Sequence, residues 1–501
     1  MNVPPPSSVL ERAEEEEMVR VLRGPALPFD IGRELGYLDG RTDDVEQENI
    51  SRHIGESTDA YSRPALQQRR FYIPVKTKLL LAQLLAIGWT CLSCYLALPW
   101  INDLAQYVPY AIALTAVLGI AIIPGYAFAF ILFSLAFDRR PPRGEVLTYP
   151  PLSVLIAAYN EQDNIADTIQ SIMQQHYPGE LEIILIDDGS KDNTVPVAQS
   201  LGIEALRILP MGTNGGKARA LNVGLRAAKH ELIVTVDADT YLHANALENI
   251  VARYLSDPAE TVAVAGAVLV RNSRRNFLTK IQEWDYFHGI AVVKRTQSLY
   301  QGTLVAQGAF SLYTKAALNE VNGWPDVVGE DIVMSWALLK KNYRIGYAED
   351  AMVFTNVPES WRQFYQQRRR WARGLIEAFK RHPQLLVRPR ANWPFFFLNL
   401  LYPFLDVIFL FCFVPGLIAA LFGHFFIVGP MTLAVLPLAA LNNLLMFAVQ
   451  KRMFTAQQMR VRRNIFGFLF YASFAQLLMS PPAVAGYFAE FANLRKSWGT
   501  K

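Results

Sequence analysis

Apolar positions fall into two patterns: long unbroken runs towards both ends of the chain, and short runs separated by helix-like spacing in the middle. From Leu79 to Trp100 and from Val108 to Phe137 there is no Lys, Arg, Asp or Glu, and only Asp103 falls in the turn between them. A second block extends from Pro394 to about Val449, and a third from Ile465 to about Phe488. Crossing about 30 Å of hydrocarbon takes roughly 20 helical residues, so the blocks predict two, two and one crossings. Pro481 and Pro482 interrupt the last run, which leaves a re-entrant or interfacial course open to it and a sixth membrane element in reserve.

The middle of the chain reads differently. LSVLIAAYN from Leu152, LEIILIDDGS from Leu181, a short run at Leu206 to Leu209 and VTVDADT from Val234 read as strands. Helical patterns at Asp163 to Gln175, Thr194 to Leu201 and Lys217 to Ala228 separate them. Alternating strands and helices predict an α/β fold with a mostly parallel sheet and right-handed crossovers. Past Ala238 the pattern loosens into a strand, TVAVAGAVLV, a helical segment from Asn276 to Gln297, the stretch Gln307 to Tyr313 and a loop leading to VGEDIVMSWALLKK. From Glu359 to Phe379, apolar residues recur at helical spacing with Arg362 and Arg368 to Arg370 between them, as in a helix lying on a membrane surface.

Charge sets the topology. Arg69, Arg70, Lys76 and Lys78 precede the first crossing, and Arg139, Arg140 and Arg143 follow the second, so the positive-inside rule puts both flanks in the cytoplasm. The basic cluster Lys451, Arg452, Arg460, Arg462 and Arg463 marks a return to that side, although the tail with Arg495, Lys496 and Lys501 then falls outside, mildly against the rule. The expected segments are a polar, acidic, mobile N-terminal region (1–75), two membrane helices (76–138), a cytoplasmic α/β domain (139–390), three or four membrane or interfacial helices (391–491) and a short tail (492–501). The apolar runs are too long and too far along the chain for a cleaved signal peptide. A net charge of +4 gives no case for nucleic acid. Cys91, Cys94 and Cys412 all lie in apolar runs, the wrong context for a redox or zinc C-x-x-C.

Five groups outside the membrane runs carry candidate chemistry. Asp237 and Asp239 end the strand VTVDADT, at the strand end where α/β sheets collect ligands; such carboxylates suit Mg²⁺ or Mn²⁺ shared with a nucleotide diphosphate, though an Asp there also caps helices. Asp187 and Asp188, followed by Gly189 and Ser190, offer acceptors for a base or ribose or simply make a turn. Gly215 and Gly216 ahead of Lys217 suit an anion at a helix N-terminus. Glu330 and Asp331 open a helix, where they serve either as N-terminal charges or as a general base. Gln366 to Trp371 joins guanidinium groups to an amphipathic ring, and reads alternatively as a basic stripe against lipid headgroups. Inside the membrane runs, Asp406, Asn442 and Asn443 mark either a pathway or helix-to-helix hydrogen bonds.

YNE at Tyr159 to Glu161, DDGS at Asp187 to Ser190, GGKARALN, DAD, GED at Gly329 to Asp331 and QQRRRW, in that order between membrane helices, resemble the processive family 2 glycosyltransferases, the synthases of cellulose, hyaluronan, chitin and poly-N-acetylglucosamine. The resemblance covers about Thr148 to Arg390. It implies a cytoplasmic GT-A domain, Rossmann-like, that adds sugar from a UDP-sugar with inversion to a β-linked chain crossing the bacterial inner membrane through the protein's own helices. By position it implies uridine binding at Asp188, with Tyr159, Glu161 and Lys217 in the substrate site, and metal and diphosphate at Asp237 and Asp239. It further implies a catalytic base at Asp331 beside Glu330, diphosphate contact from Arg370 beside Gln367, and acceptor stacking on Trp371. KIQEWDYFHGIAVVKRTQSLYQG brings the sequence nearest to the bacterial poly-β-1,6-N-acetylglucosamine synthase type. QGAF at Gln307 to Phe310 departs from that type's acceptor signature, which leaves UDP-N-acetylglucosamine and UDP-glucose both open. The implied partners are the UDP-sugar, the nascent polysaccharide, the lipid bilayer and accessory or periplasmic export subunits. The competing readings are a nonprocessive transferase acting on a lipid carrier, and an inactive polytopic transporter or partner-binding subunit.

Overall fold

The computed structural model describes residues 73–138, 143–300, 302–388, 390–429, 436–461 and 463–494, and not the side chains of 436–439 and 442. The expectations for 1–72 and for the basic tail lie outside the described residues.

One eight-stranded sheet forms the centre: β1 (Leu152–Ala158), β2 (Leu181–Asp187), β3 (Leu206–Pro210), β4 (Leu232–Asp237), β5 (Thr240–Leu242), β6 (Thr261–Val270), β7 (Phe310–Thr314) and β8 (Arg344–Thr355). Their order across it is β3-β2-β1-β4-β7-β6-β8-β5. The β3-β2-β1-β4 half is all parallel, with one helix between each consecutive pair of these strands in the chain, as the alternating sequence predicts. β7 then runs antiparallel to both β4 and β6, while β6 and β8 are parallel. Alternate residues of β1 serve opposite faces, as the period of a strand requires: Val154 and Ile156 join one core, and Leu155 the other.

Two elements escape the sequence pattern. β5 is three residues long. β8 carries Glu349 and Asp350 in mid-strand, which speaks against a buried strand, yet both are buried because Arg295 pairs with Glu349 and Arg143 with Asp350.

The helices are α1 (Val75–Leu104), α2 (Tyr110–Ala136), α3 (Ile165–Met173), α4 (Thr194–Ser200), α5 (Lys217–Ala227), α6 (Ala246–Ser256), α7 (Phe277–Trp284), α8 (Ala291–Ser298), α9 (Lys315–Glu320), α10 (Glu330–Lys340), α11 (Trp361–Arg381), α12 (Trp393–Leu421), α13 (Leu436–Ala456) and α14 (Ile465–Phe491). Between α7 and α8 a π-helical turn, Asp285–Ile290, keeps the helix continuous. Among the described residues four helices, α1, α2, α12 and α14, are long and apolar enough to span a membrane. The chain is a membrane protein. The fifth expected crossing corresponds to α13, whose approach at 430–435 lies outside the described residues. Pro481 and Pro482 sit inside α14 without ending it.

The α/β core and the membrane helices are one packed body. Phe130 of α2 and Phe395 and Phe396 of α12 join the cluster of Leu155, Ile184, Ile186 and Trp336. α14 lies against α11 so closely that a methyl group on Gly486 would meet the Arg369 carbonyl oxygen at 2.5 Å. At the far end Glu490 of α14 pairs with Arg373 at 3.3 Å and Lys380 at 3.5 Å.

Candidate active site

Parallel register aligns the carboxyl ends of three strands, because Ala157 of β1 faces Asp237 of β4 while Ala158 faces Asp187 of β2. That edge is where ligands bind in open α/β sheets. Asp188 just beyond it is buried, and its two oxygens accept the N–H groups of Gly215 and Gly216 at 2.7 and 2.8 Å. Gly216 has φ +89°, a conformation that favours glycine. Asp188 thus fixes the loop from which α5 starts, and α5 starts with Lys217.

The Lys217 ammonium donates to Asp237 Oδ1 and lies 3.9 Å from Glu330 Oε1. Burial pushes its pKa down, but Asp237 and Glu330 outweigh burial and hold it above the usual lysine range. Gly308 lets it through: a methyl there would sit 2.7 Å from Lys217 Nζ. Glu330 is buried, and burial, then the neighbouring Asp331 charge, raises its pKa to about 7 against the pull of Lys217 and Arg370. Asp331 Oδ2 accepts the Gly308 N–H at 3.4 Å, and Ser335 ties the same strands of chain together, donating to the Asp331 carbonyl at 2.6 Å and accepting from the Ala306 N–H at 2.9 Å.

Asp239 Oδ1 accepts from the Thr355 hydroxyl at 3.2 Å. Among the described residues no three His, Cys, Asp or Glu side chains gather to hold a metal. Asp237 and Asp239 do supply two hard oxygen donors from one strand end, and the ammonium on Asp237 shows that the spot already draws a cation. This donor set fits a Mg²⁺ or Mn²⁺ that takes its remaining ligands from phosphates and water.

The other expected residues fall around this centre. Tyr159 is exposed at the end of β1, and Glu161 accepts from Asn164 Nδ2 at 3.0 Å. On α11, Gln367 Oε1 is buried with no hydrogen-bond donor among the described residues, and Arg370 is near enough for its charge to act on Glu330. Trp371 keeps 39% of its surface exposed. Asp406 and Asn443 are not part of this group. The buried Asp406 carboxylate accepts from Gln476 at 2.8 Å, Ser480 at 2.6 Å and Tyr487 at 2.9 Å, all on α14. Asn443 lies beside the buried His288, and the Asn442 side chain lies outside the described residues.

Sequence reasoning gave no role to Thr355 nor, beyond its place in the QGAF segment, to Gly308, and both have meaning only through residues distant in sequence. It also gave no role to Asp285, although that residue stands in the quoted EWDYFHG segment.

A sheet of this order, with carboxylates at the β4 edge and an acidic helix start facing them, defines the GT-A class of glycosyltransferase domains. Residues 153–321 match the profile of Glycosyl transferase family 2, and the chain carries such a domain. Over 232 residues it is 36% identical to the poly-β-1,6-N-acetyl-D-glucosamine synthase of Staphylococcus epidermidis, covering 46% of this chain and 56% of that protein. The identity and both shares are the same for the Staphylococcus aureus synthase. The chain thus spans about half the length of these curated relatives. A mannosyltransferase of Pyrobaculum calidifontis, solved in complex with GDP-Man and Mn²⁺, shares the fold at TM-score 0.51 and 20% identity, over 77% of this chain and 99% of that one.

Proposed function

We propose that the protein is a processive, inverting glycosyltransferase that polymerises a β-linked polysaccharide from a UDP-sugar and passes it through the membrane between its own helices. The catalytic domain faces the cytoplasm in this reading, at a bacterial inner membrane. UDP-N-acetylglucosamine is the preferred donor, since the two named relatives make an N-acetylglucosamine polymer. One observation carries the reading: Lys217, Asp237, Glu330, Asp331 and Arg370, drawn from four separate elements, meet at one strand edge.

The roles follow from the chemistry of each group. Asp331 takes the proton of the acceptor hydroxyl as its oxygen bonds to the anomeric carbon, on the face opposite UDP; the carbon–phosphate-oxygen bond breaks and UDP leaves. Lys217 and Arg370 are placed to hold phosphate oxygens. A divalent ion held by Asp237 and Asp239 would neutralise charge on the departing diphosphate. Glu330, with its pKa raised to about 7 and so only about half ionised at neutral pH, keeps Lys217 and Arg370 from being fully neutralised by protein carboxylates. Trp371 offers an exposed ring face to an acceptor sugar.

The test is product length. Purified protein given labelled UDP-N-acetylglucosamine or UDP-glucose should make long polymer from one of them. A product limited to one sugar on a lipid would replace this reading with the nonprocessive one, and no turnover of either donor would remove it.

A further inference from the structure

We infer that Asp285 is a positioning residue for the acceptor end: through Arg368 it sets the plane of the Trp371 ring. This rests on the reading of Trp371 as the acceptor platform.

Phe364, Arg368 and Trp371 follow one another at i, i+4 and i+7 on α11, so they share one face of the helix. The Arg368 guanidinium lies 5.0 Å from the Phe364 ring centroid and 4.2 Å from that of Trp371. It is sandwiched by two aromatic faces, an arrangement that attracts a planar cation. An arginine on a helix surface has many rotamers, and stacking alone does not choose one. Asp285 does: its Oδ2 lies 2.8 Å from Arg368 Nη2, and both side chains are buried. Trp371 also lies beside Tyr286, the next residue along, with ring centroids 6.4 Å apart. Two consecutive residues therefore frame the indole, one through a guanidinium and one directly.

The backbone that presents them is unusual. Asp285–Ile290 is a π-helical turn, and such turns recur at functional positions in longer helices. Four residues on, Gly289 leaves room for Asp285: a methyl there would lie 3.0 Å from Asp285 Oδ1 and 3.2 Å from the Tyr471 hydroxyl on α14. The framing of Trp371 is thus built jointly from α11, the π turn and a membrane helix. Among the described residues the Asp285–Arg368 pair makes no ion pair with Lys217 or Asp237, although neighbouring Tyr286 feels the charges of Asp239 and Arg370. The pair's effect should fall on the acceptor and spare the donor.

The experiment compares Asp285→Asn and Gly289→Ala with the unaltered protein, reading UDP release without elongation, polymer length, and thermal unfolding in detergent. Both variants should keep UDP-sugar hydrolysis within about twofold while elongation falls at least about tenfold. In a Trp371→Ala background, Asp285→Asn should change elongation by less than about twofold, because residues acting through one group are not additive. Additive loss in that background, or hydrolysis falling in step with elongation, overturns the inference while leaving the acceptor reading intact. If Trp371→Ala alone leaves elongation unchanged, the acceptor reading itself fails. Arg368→Lys keeps the charge pair and loses the planar stack; elongation at the unaltered level in that variant would also count against the inference.

Discussion

Gly329 and Gly374 meet backbone against backbone: a methyl group on Gly329 would lie 2.6 Å from the Gly374 Cα, and one on Gly374 would lie 2.9 Å from the Gly329 Cα. Gly329 is the residue before α10, and Gly374 lies within α11. The contact seats Glu330 and Asp331 beside the helix that carries Arg370 and Trp371.

Gly374→Ala should therefore separate the base from the diphosphate and acceptor side chains. Overpacking of this kind costs about 1–3 kcal/mol, a loss that a protein of this size tolerates. The expected outcome is folded protein, checked by its unfolding temperature in detergent, with elongation reduced at least about tenfold. Unchanged elongation would show that the helix contact does not set the site geometry.

Glu330 gives a pH signature. In the folded protein its pKa is raised to about 7, first by burial and then by Asp331. A carboxyl raised in this way contributes stability fully present below the ordinary carboxylate range and lost as pH rises through about 7. Unfolding temperature should fall more steeply between about pH 5 and 7 in the unaltered protein than in Glu330→Gln, which has no proton to lose. Parallel curves for the two proteins would contradict the assignment.

Asp331→Asn should retain UDP-sugar binding, measured by equilibrium binding of labelled donor, while turnover falls at least roughly 100-fold, as expected for a base acting on the acceptor. Equal loss of donor binding would indicate that Asp331 supports the fold around Gly308 rather than taking a proton.

How far the sequence carries these assignments depends on how local each signal is. The strand β6 is readable to the residue because TVAVAGAVLV is apolar after its first residue, as suits a strand buried throughout. The helix α11 is readable because its apolar spacing survives the interleaved arginines. β8 is not, since Glu349 and Asp350 break its pattern and their partners Arg295 and Arg143 lie far away in the chain. The site shows the same division. Asp237, Asp239, Glu330 and Asp331 announce themselves as acidic pairs, whereas the glycines that bring them together look ordinary until packing shows what a Cβ would strike. Asp188 carries a similar lesson, for the turn and the ligand readings of its sequence are joined by a third fact: both its oxygens hold the Gly215–Gly216 loop.

Asp239→Asn should abolish transfer without unfolding the protein, because the hydrogen bond from Thr355 can be made to an amide oxygen. If Asp239 holds a cation that balances charge on the leaving diphosphate, activity of the unaltered protein should also vanish on chelation and return with Mg²⁺ or Mn²⁺. Turnover that survives both the substitution and the chelator would leave the diphosphate to Lys217 and Arg370 alone.

The membrane layer offers the sharpest choice, between Asp406 as a wall of the polymer's path and Asp406 as a joint between helices. A carboxylate facing a sugar chain needs acceptor capacity to spare. Asp406 spends one oxygen on Gln476 and Ser480 and the other on Tyr487, and all three donors belong to α14, the helix that also grips α11 through Gly486 and Glu490. That geometry favours the joint. Asp406→Leu would strand donors away from water, at about 1–3 kcal/mol each, and should cost folded yield in detergent. Asp406→Asn keeps an acceptor oxygen, and the Tyr487 hydroxyl can turn to accept from the new amide, so yield and polymer length should stay within about twofold of the unaltered protein. Normal yield with shortened polymer in Asp406→Asn would instead put the carboxylate on the path, and a cross-linker at an introduced cysteine on α12 should then capture the nascent chain.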